Sequence, residues 1–438
     1  MPRGLPRGAS RLFRFYAVNA LQVKERRVLF QVLGVQAICQ SRMAGFTTLE
    51  GKNVVGTNVI ASYIYADDDT EDTPKITIRL YFEVKIMRIR QFNPLKILSH
   101  RENVEKIIAG ENPPPITCEI DPSNLCNHQC IWCMYEDFKR EKPQLIPKET
   151  LLRLVKELGG GGVKSLIFTG GGEPLTHPDC LLAMSLAKDI GMKVGLVTNG
   201  GLLNKEIDES IVDICAFIRI SLDAATKKKH AELHKPNEAA IDNFQNIVSN
   251  IKYIAELKRR ASKVTPTVGM AYLAHPKNYM EIYDAAVLAK EVGCDYIQIR
   301  PAYLPGQTVS PHIRKETQDL MIKALHLDDE RFNVIPILHR FDEMSGLERG
   351  YSACLANALV GIIAADCEVY CCCQLKGNPA FSMGSIKNMS FWDVWNGSKR
   401  KEVIRRIDLA KCPPCRLNRY NEIMNYLADK DKLHTDFL

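Results

Sequence analysis

No stretch of this 438-residue sequence is both long and apolar enough to cross a membrane as a helix. The nearest approach, Val28 to Cys39, spans twelve residues and is interrupted by Gln31 and Gln36. Internal repeats and low-complexity tracts are also missing, which sets aside repeat architectures and long disordered arms. Nor is there a large excess of one charge. The formal net charge is +7 with 25% of residues charged, mild enough to suit anionic substrates but far from the dense basic footprint of a nucleic-acid-binding domain. At 46% hydrophobic the composition is that of an ordinary globular protein, long enough for two domains or one enlarged one.

A disulfide framework is the last absence. Fifteen cysteines are present, an odd number in uneven clusters, in a chain too long to need covalent staples. Cys118, Cys180, Cys215 and Cys294 stand singly and read as small core residues. The clustered cysteines, two and three residues apart, suit thiolate ligation of a metal in a reducing cytosol, so a cytoplasmic location is expected. The first 43 residues carry eight Lys/Arg and one acidic residue, Glu25. They read either as targeting-like or as a non-native upstream extension, because Met87 opens a segment resembling a natural start.

The organisation divides into three. Residues 1–110 form an N-terminal extension of unknown role, with one strand pair expected at Asn58–Ala66 and Ile76–Val84 around the acidic run Asp67–Asp72. Residues 111–341 alternate strand-like and helix-like segments six times, the signature of βα units on a parallel sheet. The strands are expected at Ile116–Pro122, Val163–Thr169, Lys193–Thr198, Phe217–Leu222, Thr267–Leu273 and Tyr296–Pro301. The helices are expected at Lys148–Leu158, Cys180–Ile190, Lys205–Cys215, Ala239–Arg260, Asn278–Val292 and Pro311–Leu325. Residues 342–438 are cysteine- and turn-rich, with helices near Lys399–Ile407 and Asn421–Asp429, and read as a separate metal-binding extension.

The first strand runs into SNLCNHQCIWCMYE, where Cys126, Cys130 and Cys133 form a C-x3-C-x2-C set. Three thiolates on one loop can ligate three irons of a [4Fe–4S] cubane and leave the fourth iron open to a small chelating molecule. A loop leaving the C-terminal end of a strand is also where barrel enzymes gather their sites. A structural zinc site is the other reading, with His128 as fourth ligand. The second strand ends in TGGGEPLTHPD, whose glycines let backbone approach closely and whose Glu173 is an acceptor suited to an ammonium group. The third strand ends at Thr198 and Asn199. The fourth alternates Arg219, Ser221 and Asp223 with apolar Ile220 and Leu222, so the polar three share one face. Such inward polar residues either meet a polar ligand or hydrogen-bond one another. Gln298 and Arg300 alternate likewise on the sixth strand, either for cofactor or anionic substrate or as a structural salt bridge.

With an aromatic residue, Trp132, just before the third cysteine, the sequence resembles the radical S-adenosylmethionine superfamily over roughly Pro113 to Leu325. The resemblance implies an α/β fold, a partial (β/α)6 barrel with a small cysteine-rich C-terminal extension. It further implies a [4Fe–4S] cluster on Cys126, Cys130 and Cys133, with S-adenosylmethionine chelating the open iron. By the same resemblance Gly171, Gly172, Glu173 and Pro174 bind the cofactor's amino group, and Asn199, Arg219 and Ser221 its ribose and carboxylate. The fifth strand, VGMAYL, departs from the family's adenine-binding pattern, which leaves Gly269 and Met270 as weaker matches.

The C-terminal cysteines are Cys354, Cys367, Cys371, Cys372, Cys373, Cys412 and Cys415. Cys412-Pro-Pro-Cys415 is a chelating pair whose prolines fix the turn, and two upstream thiolates would complete a four-thiolate site for [4Fe–4S] or zinc. The order resembles the SPASM and Twitch auxiliary-cluster extensions of the same superfamily. Cys367 stands where that pattern has glycine, and no cysteine follows Cys415, which implies one auxiliary [4Fe–4S] cluster on Cys354, Cys372, Cys412 and Cys415. On an extended segment Cys371 and Cys373 would point away from Cys372; either could replace it as the ligand.

The function implied is reductive cleavage of S-adenosylmethionine to a 5′-deoxyadenosyl radical, which abstracts hydrogen from a peptide, protein or small polar substrate. An electron donor such as flavodoxin or ferredoxin is the implied partner, and neither nucleic acid nor membrane is. A zinc-dependent nucleic-acid-binding protein would need basic, aromatic-rich sequence beside the metal loops, which only Lys399–Lys401 with Arg405–Arg406 approaches. An electron carrier or cluster scaffold would leave the six-unit barrel without purpose.

Overall fold

The computed structural model describes residues 23–24, 27–32, 35–40, 92–136, 143–237, 243–303, 309–344 and 349–429. They belong to two compact units that divide between residues 95 and 96. In the first, β1 (Val23–Lys24), β2 (Arg27–Val32) and β3 (Val35–Gln40) form a three-stranded antiparallel sheet. The apolar stretch 28–39 therefore lies on two paired strands. The strand pair expected at Asn58–Ala66 and Ile76–Val84 lies outside the described residues.

In the second unit β4 (Thr117–Ile120), β5 (Ser165–Phe168), β6 (Lys193–Thr198), β7 (Phe217–Ser221), β8 (Thr267–Ala274) and β9 (Tyr296–Pro301) pair successively in parallel. All six expected strands are present. Around them lie α1 (Arg101–Ile108), α2 (Lys148–Gly160), α3 (Cys180–Asp189), α4 (Lys205–Ile214), α5 (Lys227–His234), α6 (Asn243–Arg260), α7 (Ile282–Glu291) and α8 (Pro311–Ala324). A left-handed exit from α2 is taken by Gly162, at φ +93°.

The burial pattern shows which way the sheet curves. On β5 and β7 the residues Ser165, Ile167, Phe217, Arg219 and Ser221 are half-buried, while Leu166, Phe168, Ile218 and Ile220 are fully buried. Alternation sends the second set under the helices, where each side chain contributes about 1.5–3 kcal/mol of burial. The first set faces the barrel lumen. Cys118, Cys180, Cys215 and Cys294 are buried in this core, as expected of isolated cysteines.

Two additions to the sheet were not expected. β10 (Asn333–Pro336) extends it in parallel beyond β9, and α9 (Arg340–Met344) follows. At the other edge β11 (Val360–Ile363) pairs in parallel with β4, and β12 (Glu368–Tyr370) and β13 (Ser382–Ser385) continue antiparallel. The cysteine-rich extension thus shares one ten-stranded sheet with the barrel. It closes with α10 (Phe391–Asn396), α11 (Ser398–Arg405) and α12 (Asn418–Ala428). Met424 of α12 packs with Ile97, Val104 and Ile107 in a small second core. No described helix is long and apolar enough to cross a membrane.

Candidate functional site

The loop after β4 carries Cys126, Cys130 and Cys133, all half-buried, in contrast to the isolated core cysteines. Backbone bonds strap it to α5: Gln129 N donates to the carbonyl of His234 at 2.9 Å and Ile131 N to that of Leu233 at 3.0 Å. Helix α5 itself was not expected, because KKKHAELH offers only Ala231 and Leu233 as apolar positions. Its start is fixed by Thr226, whose hydroxyl accepts from Lys229 N at 3.3 Å. His230 and His234, one turn apart on α5, are both buried, and their i,i+4 spacing was the signal available in the sequence. His234 Nδ1 lies 3.2 Å from the Cys130 sulfur and its Nε2 is 2.8 Å from the Leu222 carbonyl. Burial, with His230 and His128 beside it, pushes the His234 pKa well below the ordinary value. His128 turns away to join this group. Its Nε2 is 3.0 Å from Asn243 Oδ1, and one ligand atom of each of His128, His230 and His234 lies within 4.8 Å of the others. Trp132 stacks at a tilt on His275, ring centres 5.1 Å apart.

The glycine loop after β5 closes on the cysteine loop. Glu173 N donates to the Leu125 carbonyl at 2.7 Å and Gly171 N to Asp121 Oδ2 at 2.9 Å. A Cβ on Gly172 would sit 2.1 Å from the Leu125 oxygen, so only glycine permits this approach. The close approach is therefore to the neighbouring backbone. The Glu173 carboxylate, 1% exposed, accepts from Thr198 Oγ1 at 2.7 Å, Asn199 N at 2.7 Å and Leu175 N at 3.2 Å. Pro174 starts a short 3-10 turn beside it. Asn199 Nδ2 donates to Asn127 Oδ1 at 2.8 Å and points at the Cys126 sulfur at 3.7 Å. Glu173 and Asn199 thus join the ends of β5 and β6 to the cysteine loop that follows β4.

On β7 Ser221 lies at the strand end and Arg219 two residues deeper, in register with Gly269. Asp223 does not continue the alternation. It has φ +52°, and its carboxylate is buried, accepting from Leu273 N at 2.6 Å and lying 3.4 Å from His234 Nε2. Burial raises its pKa to about 7 against the pull of the Leu273 amide and Arg300. Gly269 and Met270 are buried, Gly269 against the Tyr296 ring.

The extension reaches this site through residues that went unnoticed in the sequence. Lys376, 3% exposed, pairs with the buried Asp121 at the end of β4 and lies 4.1 Å over the Tyr135 ring. Burial opposes its charge, but Asp121 and Tyr135 outweigh that and its pKa is raised. Tyr135 donates to the Cys373 carbonyl at 3.3 Å. Arg416, directly after Cys415, reaches Glu119 of β4 at 2.5 Å.

Of the C-terminal thiols, Cys354 is approached by Asn421 Nδ2 at 3.8 Å, Cys372 by Gln374 N at 3.3 Å and Cys415 by Leu417 N at 3.3 Å. The guanidinium of Arg349 clamps the Cys412 and Pro413 carbonyls at 2.9 and 2.8 Å. Burial raises the thiol pKa of Cys412, and that of Cys415 to about 11, so ionising them calls for a compensating cation. The extended geometry expected for 371–373 is not what forms. The chain turns at Cys373–Gln374, and the neighbouring Cys372 draws the Cys373 thiol below its ordinary pKa. Cys371 is 3% exposed, its pKa raised by burial to about 12. Cys367, in the place expected of glycine, holds φ +65°, the conformation glycine favours.

Residues 120–275 match the Radical SAM superfamily, and residues 354–417 match SPASM, an iron–sulfur cluster-binding domain. The chain belongs to the radical SAM superfamily. Among its relatives, the GTP 3′,8-cyclase of Chlorobaculum tepidum is 34% identical over 113 residues, 25% of this chain and 34% of that protein. The AdoMet-dependent heme synthase of Methanosarcina barkeri is 28% identical over 345 residues, 70% of this chain and 92% of that protein. The chain thus spans about a third of the first relative and nearly all of the second. In fold it is similar to Streptococcus suis SuiB bound to its precursor peptide SuiA, with a TM-score of 0.53, 18% identity and 75% of each chain covered. The radical SAM and SPASM matches enclose the two cysteine groups, 126–133 and 354–415.

Proposed function

We propose that this chain is an enzyme that cleaves S-adenosylmethionine reductively at a [4Fe–4S] cluster held by Cys126, Cys130 and Cys133. The observation that carries it is the half-exposed cysteine triad on a strand-end loop, braced by α5 and covered by the glycine loop. The donor set fits such a cluster: three thiols, with the Asn199 amide and the His234 ring against two of their sulfurs. When bound there, S-adenosylmethionine supplies a 5′-deoxyadenosyl radical on one-electron reduction, the electron coming from a flavodoxin- or ferredoxin-type donor.

The protein's own part is positioning. Gly171, Gly172, Glu173 and Pro174 hold the cofactor-facing loop against the cysteine loop, and Asn199 and Ser221 present polar groups at the same strand ends. Because the Glu173 carboxylate is already engaged by Thr198 and Asn199, it acts chiefly by fixing those residues. One auxiliary [4Fe–4S] cluster on Cys354, Cys372, Cys412 and Cys415 would be fully ligated and so confined to electron transfer or support. The substrate is a peptide or protein, in keeping with the precursor peptide SuiA bound to SuiB, or a small polar molecule. Reduced, anaerobic protein given S-adenosylmethionine alone should form 5′-deoxyadenosine and methionine slowly. Zinc in place of iron after reconstitution would overturn the reading.

A further inference from the structure

The lumen beneath the proposed cofactor site carries positive charge that its own residues do not neutralise. Strand register sets Arg219 of β7 level with Gly269 of β8 and Tyr296 of β9, and Ser221 level with Ala271 and Gln298. Arg300 follows one pair nearer the strand ends, opposite Leu273. Between β7 and β9 the inward face of β8 carries Gly269 and Ala271, with Leu273 only at the strand end opposite Arg300, so nothing bulky separates Arg219 from Gln298. A Cβ on Gly269 would sit 2.0 Å from the Tyr296 ring, which therefore fills the floor below Arg219.

The other charged groups around this space are accounted for. Arg416 pairs with Glu119 at 2.5 Å, Arg340 lies 3.7 Å from Glu343, and the Asp223 carboxylate, which accepts from the Leu273 amide, attracts Arg300 without forming an ion pair with it. Arg219 and Arg300 form no ion pair among the described residues. Arg219 Nε is a buried donor without a hydrogen-bond partner there, and Gln298 Oε1 is a buried acceptor without one, so the Gln298 amide serves an anion when it is turned to present Nε2. Arg300 is pushed down to about 10 by burial and by Arg219 and Arg340, the mark of cations crowded together in a poorly solvated space. Unpaired guanidinium groups half-buried in such a space are costly to keep unless something compensates them, and their planar fork matches a carboxylate or phosphate in two-point contact.

We propose that Arg219, Arg300 and Gln298 form an oxyanion site in the barrel lumen, and that the substrate is anchored there by a carboxylate or phosphate group. This rests on the proposed cleavage of S-adenosylmethionine at the strand ends, which open onto the lumen. It assigns Arg219 to the substrate, away from the cofactor carboxylate that family resemblance implies. Arg416 brings the extension to the same space, so an anion held there lies beside the chain segment that carries Cys415.

The test is calorimetric titration of the full-length, anaerobically reconstituted protein with inorganic phosphate, with succinate, and separately with S-adenosylmethionine. At least one anion should bind saturably; phosphate alone marks a phosphorylated substrate and succinate alone a carboxylate one. Arg300→Gln and Arg219→Gln should weaken that anion about tenfold or more, while S-adenosylmethionine affinity stays within about twofold. Arg300→Lys, which keeps the charge, should recover part of the loss, and melting curves show that each variant is folded. Loss of S-adenosylmethionine binding in step with the anion would overturn the proposal, since the arginines would then serve the cofactor. Unchanged anion affinity in both variants, or no anion binding at all, would overturn it too. None of these readouts needs turnover, so absence of 5′-deoxyadenosine from wild type would defeat the enzymatic reading separately.

Discussion

The two cysteine systems draw the same side chain from different numbers of chain segments. Cys126, Cys130 and Cys133 come from one short loop, stay half-buried, and lie where strand ends, α5 and the glycine loop converge. Cys354, Cys372 and the Cys412–Cys415 pair come from three separated segments and are likewise half-buried, with Arg349 clamping the Cys412–Pro413 turn. Local sequence can build a three-thiolate corner with one side open, whereas four thiolates drawn from separated segments enclose what they bind. Openness suits a site where a cofactor must coordinate, and closure suits one that passes electrons or supports the fold.

The largest expected effect breaks the open half. Replacing Cys126, Cys130 and Cys133 together by alanine should abolish 5′-deoxyadenosine formation and lower iron from about eight to about four per chain. Iron assay beside product chromatography checks both; cleavage surviving in this variant would put the reaction elsewhere. The mirror experiment, Cys412→Ala/Cys415→Ala, should also remove about four irons yet leave uncoupled cleavage in place. Unchanged iron in that protein would mean that the auxiliary cluster does not exist as drawn.

A third variant cuts the link between the regions. Lys376→Met strands Asp121 as a buried, unpaired carboxylate beside the glycine loop and should destabilise the protein by about 3–5 kcal/mol in chemical denaturation. A Tm equal to wild type would show that the pair does not hold the extension to the barrel. The smallest effect is expected from Cys367→Gly. Relief of the left-handed backbone, about 1 kcal/mol, offsets the lost thiol packing, so stability should change little and iron not at all. Loss of iron would make Cys367 a ligand.

How much of this was legible follows from which interactions are local. The six barrel strands announced themselves because each is a short apolar run bounded by turn residues, and alternation fixed which side of β7 faces the lumen. The cysteine triad and the glycine loop were legible because their spacing is short-range. Helix α5 was not, because its sequence is cationic and its position comes from Thr226 and from its bonds to the cysteine loop. The pairing of β11 with β4 joins residues more than two hundred positions apart, as do the Lys376–Asp121 and Arg416–Glu119 contacts. No periodicity marks such partners. The turn at Cys373–Gln374 was misjudged for a related reason: three consecutive cysteines give no hint of where the backbone bends.

The central claim, that one cysteine system is open to S-adenosylmethionine and the other closed, is tested most directly by electron paramagnetic resonance of the dithionite-reduced protein with and without the cofactor. In the Cys412→Ala/Cys415→Ala variant, where only the barrel cluster should remain, adding S-adenosylmethionine should shift the cluster signal. In the Cys126→Ala/Cys130→Ala/Cys133→Ala variant the remaining signal should be the same with and without it. A cofactor-induced shift in the triple variant, or none in the double variant, would contradict the account.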